Sequence, residues 1–138
     1  MRFVDTNVLL YAVSTDPLEA HKAETARTLL AGRDLALSTQ VLQEFYVQAT
    51  RATRADALDA RQAADLVRSF TRFVVQETTV DLVLTAIAVR ERHQLSYWDA
   101  AVVVAAQSLG CSELLSEDLN DGQDLGGVIV RNPFRAAG

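Results

Sequence analysis

Residues 2–7, Arg-Phe-Val-Asp-Thr-Asn, form a short apolar run that ends in three polar side chains. Such a run is typical of a buried β-strand, and Asp5-Thr6-Asn7 has the residue types of a turn that ends one. Further short apolar runs alternate with segments that have helical spacing of apolar residues. These runs lie at 35–38, 73–76, 113–116 and 128–130. The alternation predicts βαβ units and a parallel sheet with helices on both faces.

Helix starts are indicated by capping residues between these strands. Asp16-Pro17 has the composition of a helix N-terminus, and Thr39, Thr79 and Ser96 are predicted to cap three later helices. A further helix is predicted over about 58–72. We therefore expect an α/β fold, a three-layer α/β/α sandwich with a central parallel sheet of about five short strands, in one domain over residues 1–138.

The bulk composition fits a globular domain of this size. The chain has 138 residues, of which 49% are hydrophobic, and no apolar run is long enough to cross a membrane. The first residues lack the features of a signal peptide. Cys111 is the only cysteine, so no intramolecular disulfide can form, and we expect a buried structural thiol in a cytoplasmic protein.

Four carboxylates lie in four separate segments, close to the predicted strand ends: Asp5, Glu44, Asp99 and Asp118. If the strands are parallel, all four project from one edge of the sheet, where ligands bind in open α/β folds. Each acid alone has an ordinary explanation as a turn, capping or solvated residue. However, Glu44 and Asp99 lie within apolar stretches, where an unpaired carboxylate is costly to desolvate. Together they predict a site for a hard divalent cation.

The ligand types indicate the metal and the chemistry. Carboxylates without His or Cys favour Mg²⁺ or Mn²⁺ over Zn²⁺, and Mg²⁺ sites are commonly completed by substrate phosphate. One or two such ions could activate a water and stabilise the leaving oxygen of a phosphodiester. His21 and His93 are expected to be surface or packing residues. A phosphorylation-dependent receiver domain would need a lysine after its last strand, and Lys22, in the first predicted helix, is the only lysine. A dehalogenase-like phosphatase would need Asp-x-Asp where this chain has Asp5-Thr6-Asn7.

Four segments of the chain carry a resemblance to a known family. They are Val4-Asp5-Thr6-Asn7-Val8-Leu9, Gln43-Glu44-Phe45, Ser96-Tyr97-Trp98-Asp99-Ala100 and Leu114-Leu115-Ser116-Glu117-Asp118-Leu119. In order and spacing they resemble the PIN domain family, and within it the VapC-type toxin ribonucleases of type II toxin–antitoxin systems. The resemblance covers essentially the whole chain.

The resemblance implies a Mg²⁺- or Mn²⁺-dependent endoribonuclease whose metal-binding and catalytic quartet is Asp5, Glu44, Asp99 and Asp118. It implies supporting roles beside the quartet for Thr6, Asn7 and Ser116. Glu117 and Asp121 are further candidates, and either could join the metal shell or be solvated. The alternative is a catalytically silent PIN-fold module that binds RNA or protein.

The resemblance also implies partners: an RNA substrate, a cognate antitoxin protein and a second copy in a homodimer. The net charge of −5 disfavours nucleic acid, but metal would neutralise several acids, and twelve of the thirteen basic residues are Arg. GC-rich codon usage would explain the Arg content equally well. Five arginines could form an RNA-binding stripe, or they could simply lie on a solvated face. They are Arg51, Arg54, Arg61, Arg68 and Arg72.

Several aromatic residues lie in the predicted helices or beside them. Phe45, Tyr46, Phe70 and Phe73 are expected near helix surfaces, where they favour self-association. Tyr97 and Trp98 could stack on bases, but their apolar neighbours favour packing instead.

Overall fold

A six-stranded sheet forms the centre of the structure, a computed structural model that describes residues 1–135. The strands are β1 (Arg2–Val4), β2 (Leu35–Ser38), β3 (Val74–Gln76), β4 (Glu113–Leu115), β5 (Asp124–Leu125) and β6 (Val128–Arg131). Their order is β3-β2-β1-β4-β6-β5, and every pair is parallel except β5–β6. The predicted α/β class is confirmed, with one more strand than expected.

The extra strand, β5, joins β6 through a tight turn. Gly126 and Gly127 form the turn with φ of 65° and 93°, a left-handed conformation that favours glycine. Asp124 and Leu125 are too few to show an alternating pattern, so this strand had no recognisable sequence signal.

The helices pack in two groups that flank the sheet. They are α1 (Thr6–Val13), α2 (Ala20–Leu30, preceded by a 3₁₀ turn at Pro17–Glu19), α3 (Thr39–Ala49), α4 (Ala60–Phe70), α5 (Val80–His93) and α6 (Tyr97–Ser108). Helix α1 contacts α2 and α3, and α3 contacts α4, whereas α5 contacts α6. No helix within residues 1–135 is both long and apolar enough to span a bilayer.

Most predicted helix starts are confirmed, with local corrections. Asp16, Thr79 and Ser96 accept hydrogen bonds as N-caps. Ser38, rather than Thr39, caps α3, and Asp59 begins the helix that was predicted over 58–72. Such shifts of one or two residues are usual because several polar residues near a boundary can serve as the cap.

The segment after Asp5 is a helix rather than the expected turn. Asp5 is its N-cap: the backbone is extended there, and the carboxylate accepts the Thr6 amide. Val8 and Leu9 are fully buried in the core. Tertiary burial therefore stabilises a helix of eight residues that would be marginal alone.

The core lies between the sheet and both helix groups. Residues 100–106 of α6 are all buried, and Cys111 is buried as expected. The expectation that Phe45, Phe70 and Phe73 lie near the surface is wrong, since all three are buried and only Tyr46 is exposed. Phe45 and Phe70 form an edge-to-face pair that joins α3 to α4.

Candidate active site

The four predicted carboxylates line one small cavity of about 110 Å³, here called the acidic pocket. Asp5 follows β1 and Asp118 lies in the loop after β4, while Glu44 comes from α3 and Asp99 from the first turn of α6. None of the lining residues, all within 1–135, is basic. The fold thus concentrates negative charge at the carboxyl edge of the parallel strands.

Asp5 is the most deeply buried of the four acids, with 6% of its surface exposed. The Thr6 amide donates to its Oδ1 at 2.8 Å, and the Ser116 hydroxyl donates to its Oδ2 at 2.8 Å. Burial raises the pKa of Asp5 to about 6, against the lowering effect of these two hydrogen bonds, and the charges of Asp118 and Glu44 add to the rise. Near neutral pH the fold therefore holds a carboxylate that a nearby cation would stabilise.

Ser116 joins Asp5 to Asp118. Parallel pairing of Val4 with Leu115 places residues 5 and 116 side by side where the two strands end. The fully buried Ser116 hydroxyl donates to Asp5 and accepts from the Asp118 amide at 3.1 Å. It accepts also from Asn7 Nδ2 at 3.2 Å. The predicted supporting residue is therefore a hydrogen-bond hub.

Asn7 contributes a second link and an unsatisfied acceptor. Its Nδ2 also donates to Asp118 Oδ2 at 3.1 Å. Its Oδ1 is buried and has no hydrogen-bond partner among residues 1–135. A buried carbonyl oxygen without a donor is costly, and a cation or its bound water would satisfy it.

Glu44 is held by two neighbours. Thr6 Oγ1 donates to its Oε2 at 2.7 Å, and Gln40 Nε2 donates to its Oε1 at 3.0 Å. Gln40 is a site residue that the sequence reading missed, although its position four residues before Glu44 on one helix face was a usable signal. Asp99 lies opposite on α6, where burial raises its pKa and the charges of Asp118 and Glu44 raise it further.

Glu117 and Asp121 do not line the acidic pocket. The Glu117 carboxylate accepts hydrogen bonds from the Tyr11 hydroxyl and from Lys22 Nζ. Asp121 accepts from the Asn132 amide and from Arg135, which lowers its pKa. Both carboxylates therefore have other partners, which disfavours the candidate roles as metal ligands.

The five predicted arginines have different local surroundings. Arg51 and Arg54 line cavities that share residues with the acidic pocket. Arg61 is exposed on α4, and Arg68 pairs with Asp65. Arg72 lies beyond the end of α4, so its predicted place on that helix is wrong. It donates instead to the backbone carbonyls of residues 30 and 69.

A divalent cation fits the donors of the acidic pocket. Four carboxylates and the free Asn7 oxygen are hard ligands, and within residues 1–135 no basic side chain lines the pocket. However, no group of three or more His, Cys, Asp or Glu side chains within residues 1–135 is arranged to hold an ion by itself. An ion there would depend on water and substrate oxygens for part of its shell, as is usual for Mg²⁺.

The fold and the pocket together show the class of this protein: an α/β sandwich with an acidic site at the carboxyl edge of its sheet. Residues 2–120 match the PIN domain model, and the chain belongs to the PIN domain family. This confirms the family predicted from the four motif segments. The comparison with curated proteins gave no match.

Solved structures of toxin–antitoxin proteins share the fold. VapC20 of Mycobacterium tuberculosis, a sarcin–ricin loop cleaving toxin, has 21% identity and a TM-score of 0.67, over 86% of this chain and 90% of that chain. A toxin–antitoxin complex from Klebsiella pneumoniae has 21% identity and a TM-score of 0.71, over 96% and 98%. DNA-bound VapBC from Salmonella typhimurium has 15% identity and a TM-score of 0.65, over 96% and 97%. At these identities the likeness concerns the fold.

Proposed function

We propose that this protein is a metal-dependent endoribonuclease, the toxin of a toxin–antitoxin pair, that hydrolyses RNA phosphodiester bonds. The observation that carries the proposal is the convergence of Asp5, Glu44, Asp99 and Asp118, from four separate segments, on one pocket. Folding alone does not stabilise this charge, since burial and mutual repulsion raise the pKa of both Asp5 and Asp99. The PIN family and the sarcin–ricin loop cleaving toxin among the structural neighbours support the same activity.

In this proposal the four carboxylates hold one or two Mg²⁺ or Mn²⁺ ions. The bound metal would lower the pKa of a water and polarise the scissile phosphate. Ser116 keeps Asp5 and Asp118 in fixed positions, and Thr6 with Gln40 fixes Glu44. Preorganised groups of this kind contribute to catalysis because they need not reorient as charge develops.

We expect RNA cleavage to require Mg²⁺ or Mn²⁺. Labelled tRNA and other structured RNAs should be cut by the purified protein with either ion, and EDTA should abolish cutting because the carboxylates then repel the phosphate. Gel analysis of the fragments measures this. Cleavage that continues in EDTA would overturn the metal mechanism. RNA binding without cleavage in either ion would instead favour the silent binding module.

A protein partner is the second part of the proposal. A groove of about 530 Å³ between α3 and α4 is lined mainly by apolar residues, among them Leu42, Tyr46, Val47 and Val67. Exposed apolar surface of this kind marks interaction sites. The Klebsiella neighbour was solved as a toxin–antitoxin complex. We propose an apolar antitoxin segment as its occupant, with a basic side chain that reaches the acidic pocket.

Self-association is expected at a different surface. Val80, Leu84 and Ile87 are 75%, 60% and 46% exposed, and their spacing places them along one face of α5. Light scattering at high micromolar concentration should show a dimer, and Leu84→Asp should weaken association about tenfold or more because a charge would be desolvated. Leu18→Asp is the matched control, since Leu18 is 95% exposed outside this face. A monomeric wild-type protein at that concentration would contradict the proposed homodimer.

A further inference from the structure

A wide groove opens directly beside the acidic pocket. It has a volume of about 450 Å³ and shares four lining residues with that pocket: Gln40, Glu44, Gln48 and Trp98. Its other lining residues include Gln43 and Arg51. The two cavities are therefore continuous, and a polymer bound with one phosphate at the acidic pocket would extend into this groove.

Trp98 is exposed at the junction, contrary to the expectation that it packs. It lies in the first turn of α6, before the buried stretch that begins at Ala100, and 62% of its surface is exposed. A large exposed aromatic ring in a groove is typical of a binding surface, because a ring that stays in water does not stabilise the folded protein.

One contact involves the Trp98 ring and another holds the Trp98 backbone. The ring of Tyr97 packs against it edge to face, with centroids 5.1 Å apart. Gln40 Nε2 donates to the Trp98 carbonyl at 3.2 Å and to the Glu44 carboxylate at 3.0 Å. The same amide thus connects the backbone of Trp98 to a carboxylate of the acidic pocket.

The remaining lining groups suit a nucleotide. Gln43 and Gln48 are exposed on α3 and carry amides that can both donate to and accept from a base edge. Arg51 is exposed just past the end of the same helix and can bind phosphate as a planar fork. An aromatic platform with amides and a guanidinium is the combination that binds unpaired bases.

We propose that this groove is a nucleobase subsite, in which Trp98 stacks on one unpaired base of the RNA next to the scissile phosphate. Gln43 and Gln48 contact the base edge, and Arg51 contacts a flanking phosphate. The inference rests on the proposed function, which it deepens by naming single-stranded RNA as the substrate class at this position. A base inside a duplex is already stacked on both faces and would not be accepted.

Trp98 is the only tryptophan in the chain, so tryptophan fluorescence reports on this residue alone. With Ca²⁺ in place of Mg²⁺, a short single-stranded oligoribonucleotide should quench the emission as it binds. The same oligonucleotide with abasic positions, or annealed into a duplex, should quench little. Polarisation of a dye on the RNA measures binding independently in every sample, and gels of the same samples record any cleavage.

Substitutions separate stacking from a structural role. Trp98→Ala should weaken RNA binding about tenfold or more and raise KM with kcat little changed, whereas Trp98→Phe should restore most of the affinity. Leu18→Ala removes an exposed apolar side chain elsewhere and should change neither value.

Three results would overturn the subsite. They are equal quenching by the abasic oligonucleotide, RNA binding without quenching, and emission that changes with protein concentration alone. The last would assign Trp98 to a protein contact. Base-dependent quenching by a protein that cuts no RNA in Mg²⁺ or Mn²⁺ would support the subsite while the proposed hydrolysis failed.

Discussion

Asp5→Asn should reduce RNA cleavage by about 100- to 1,000-fold, the loss usual when one group that stabilises transition-state charge is removed. The change removes a negative charge from the acidic pocket but preserves the shape of the side chain. Its remaining oxygen can accept the Thr6 amide. Its new amide can donate to Ser116 Oγ in place of Asn7 Nδ2, which keeps its bond to Asp118, so the fold should persist. Initial rates of RNA cleavage at saturating Mg²⁺ measure the effect. Asp81→Asn, an exposed acid in the first turn of α5, is the control that should cleave normally.

In EDTA, the same variant should become more stable than the wild type as the pH rises above about 4. Asp5 has a pKa of about 6 in the fold against an ordinary 3.8, so the folded protein binds more protons between these values. Stability contributed by neutral Asp5 is present below pH 4 and is lost as the pH rises toward 6. Above pH 6 the charged form costs about 3 kcal/mol, a cost that Asn does not have.

Urea unfolding between pH 4 and 7.5 measures this difference. The free energies of unfolding of wild type and Asp5→Asn should agree near pH 4 and diverge as the pH rises. Added Mg²⁺ should then stabilise the wild type more than the variant at neutral pH, since only the wild type has the full ligand set. If the two free energies of unfolding change in parallel at all pH values, burial does not destabilise the charged form of Asp5.

Ser116→Ala should lower cleavage by about 10- to 100-fold, the effect usual for a residue that orients a metal ligand. The change leaves Asp5 Oδ2 without its donor and Asn7 Nδ2 and the Asp118 amide without a shared acceptor. Because these groups are partly or fully buried, unfolding should become easier by about 1–3 kcal/mol.

A change in metal affinity would distinguish positioning from simple destabilisation. At a temperature where the variant is fully folded, we expect a higher Mg²⁺ concentration for half-maximal rate. Ser112→Ala, which removes an exposed hydroxyl just before β4, should leave that concentration unchanged. A Ser116→Ala protein with wild-type metal dependence would show that the hub is not needed to place Asp5 and Asp118.

Several parts of the fold followed from local patterns. The strands that open at Arg2 and Leu35 are short and apolar, and Thr79 and Ser96 cap helices as their sequence context indicated. Helix α1 did not follow, because its first residues have turn propensity and only burial of Val8 and Leu9 overrides it. Strand β5 could not be predicted from local patterns either, because a strand of two residues is too short to show an alternating pattern.

The sequence by itself determined the family, the α/β alternation and the four acids near strand ends, since these depend on residue type and short spacing. Only the tertiary structure decided which polar groups meet. Ser116 reaches Asp5 across a separation of 111 residues because β1 and β4 pair in one register. Glu117 lies outside the acidic pocket because Tyr11 of α1 and Lys22 of α2 bind its carboxylate. Trp98 is exposed because the apolar face of α6 begins at Ala100. Side-chain direction depends on packing between distant segments, and no local pattern carries that information.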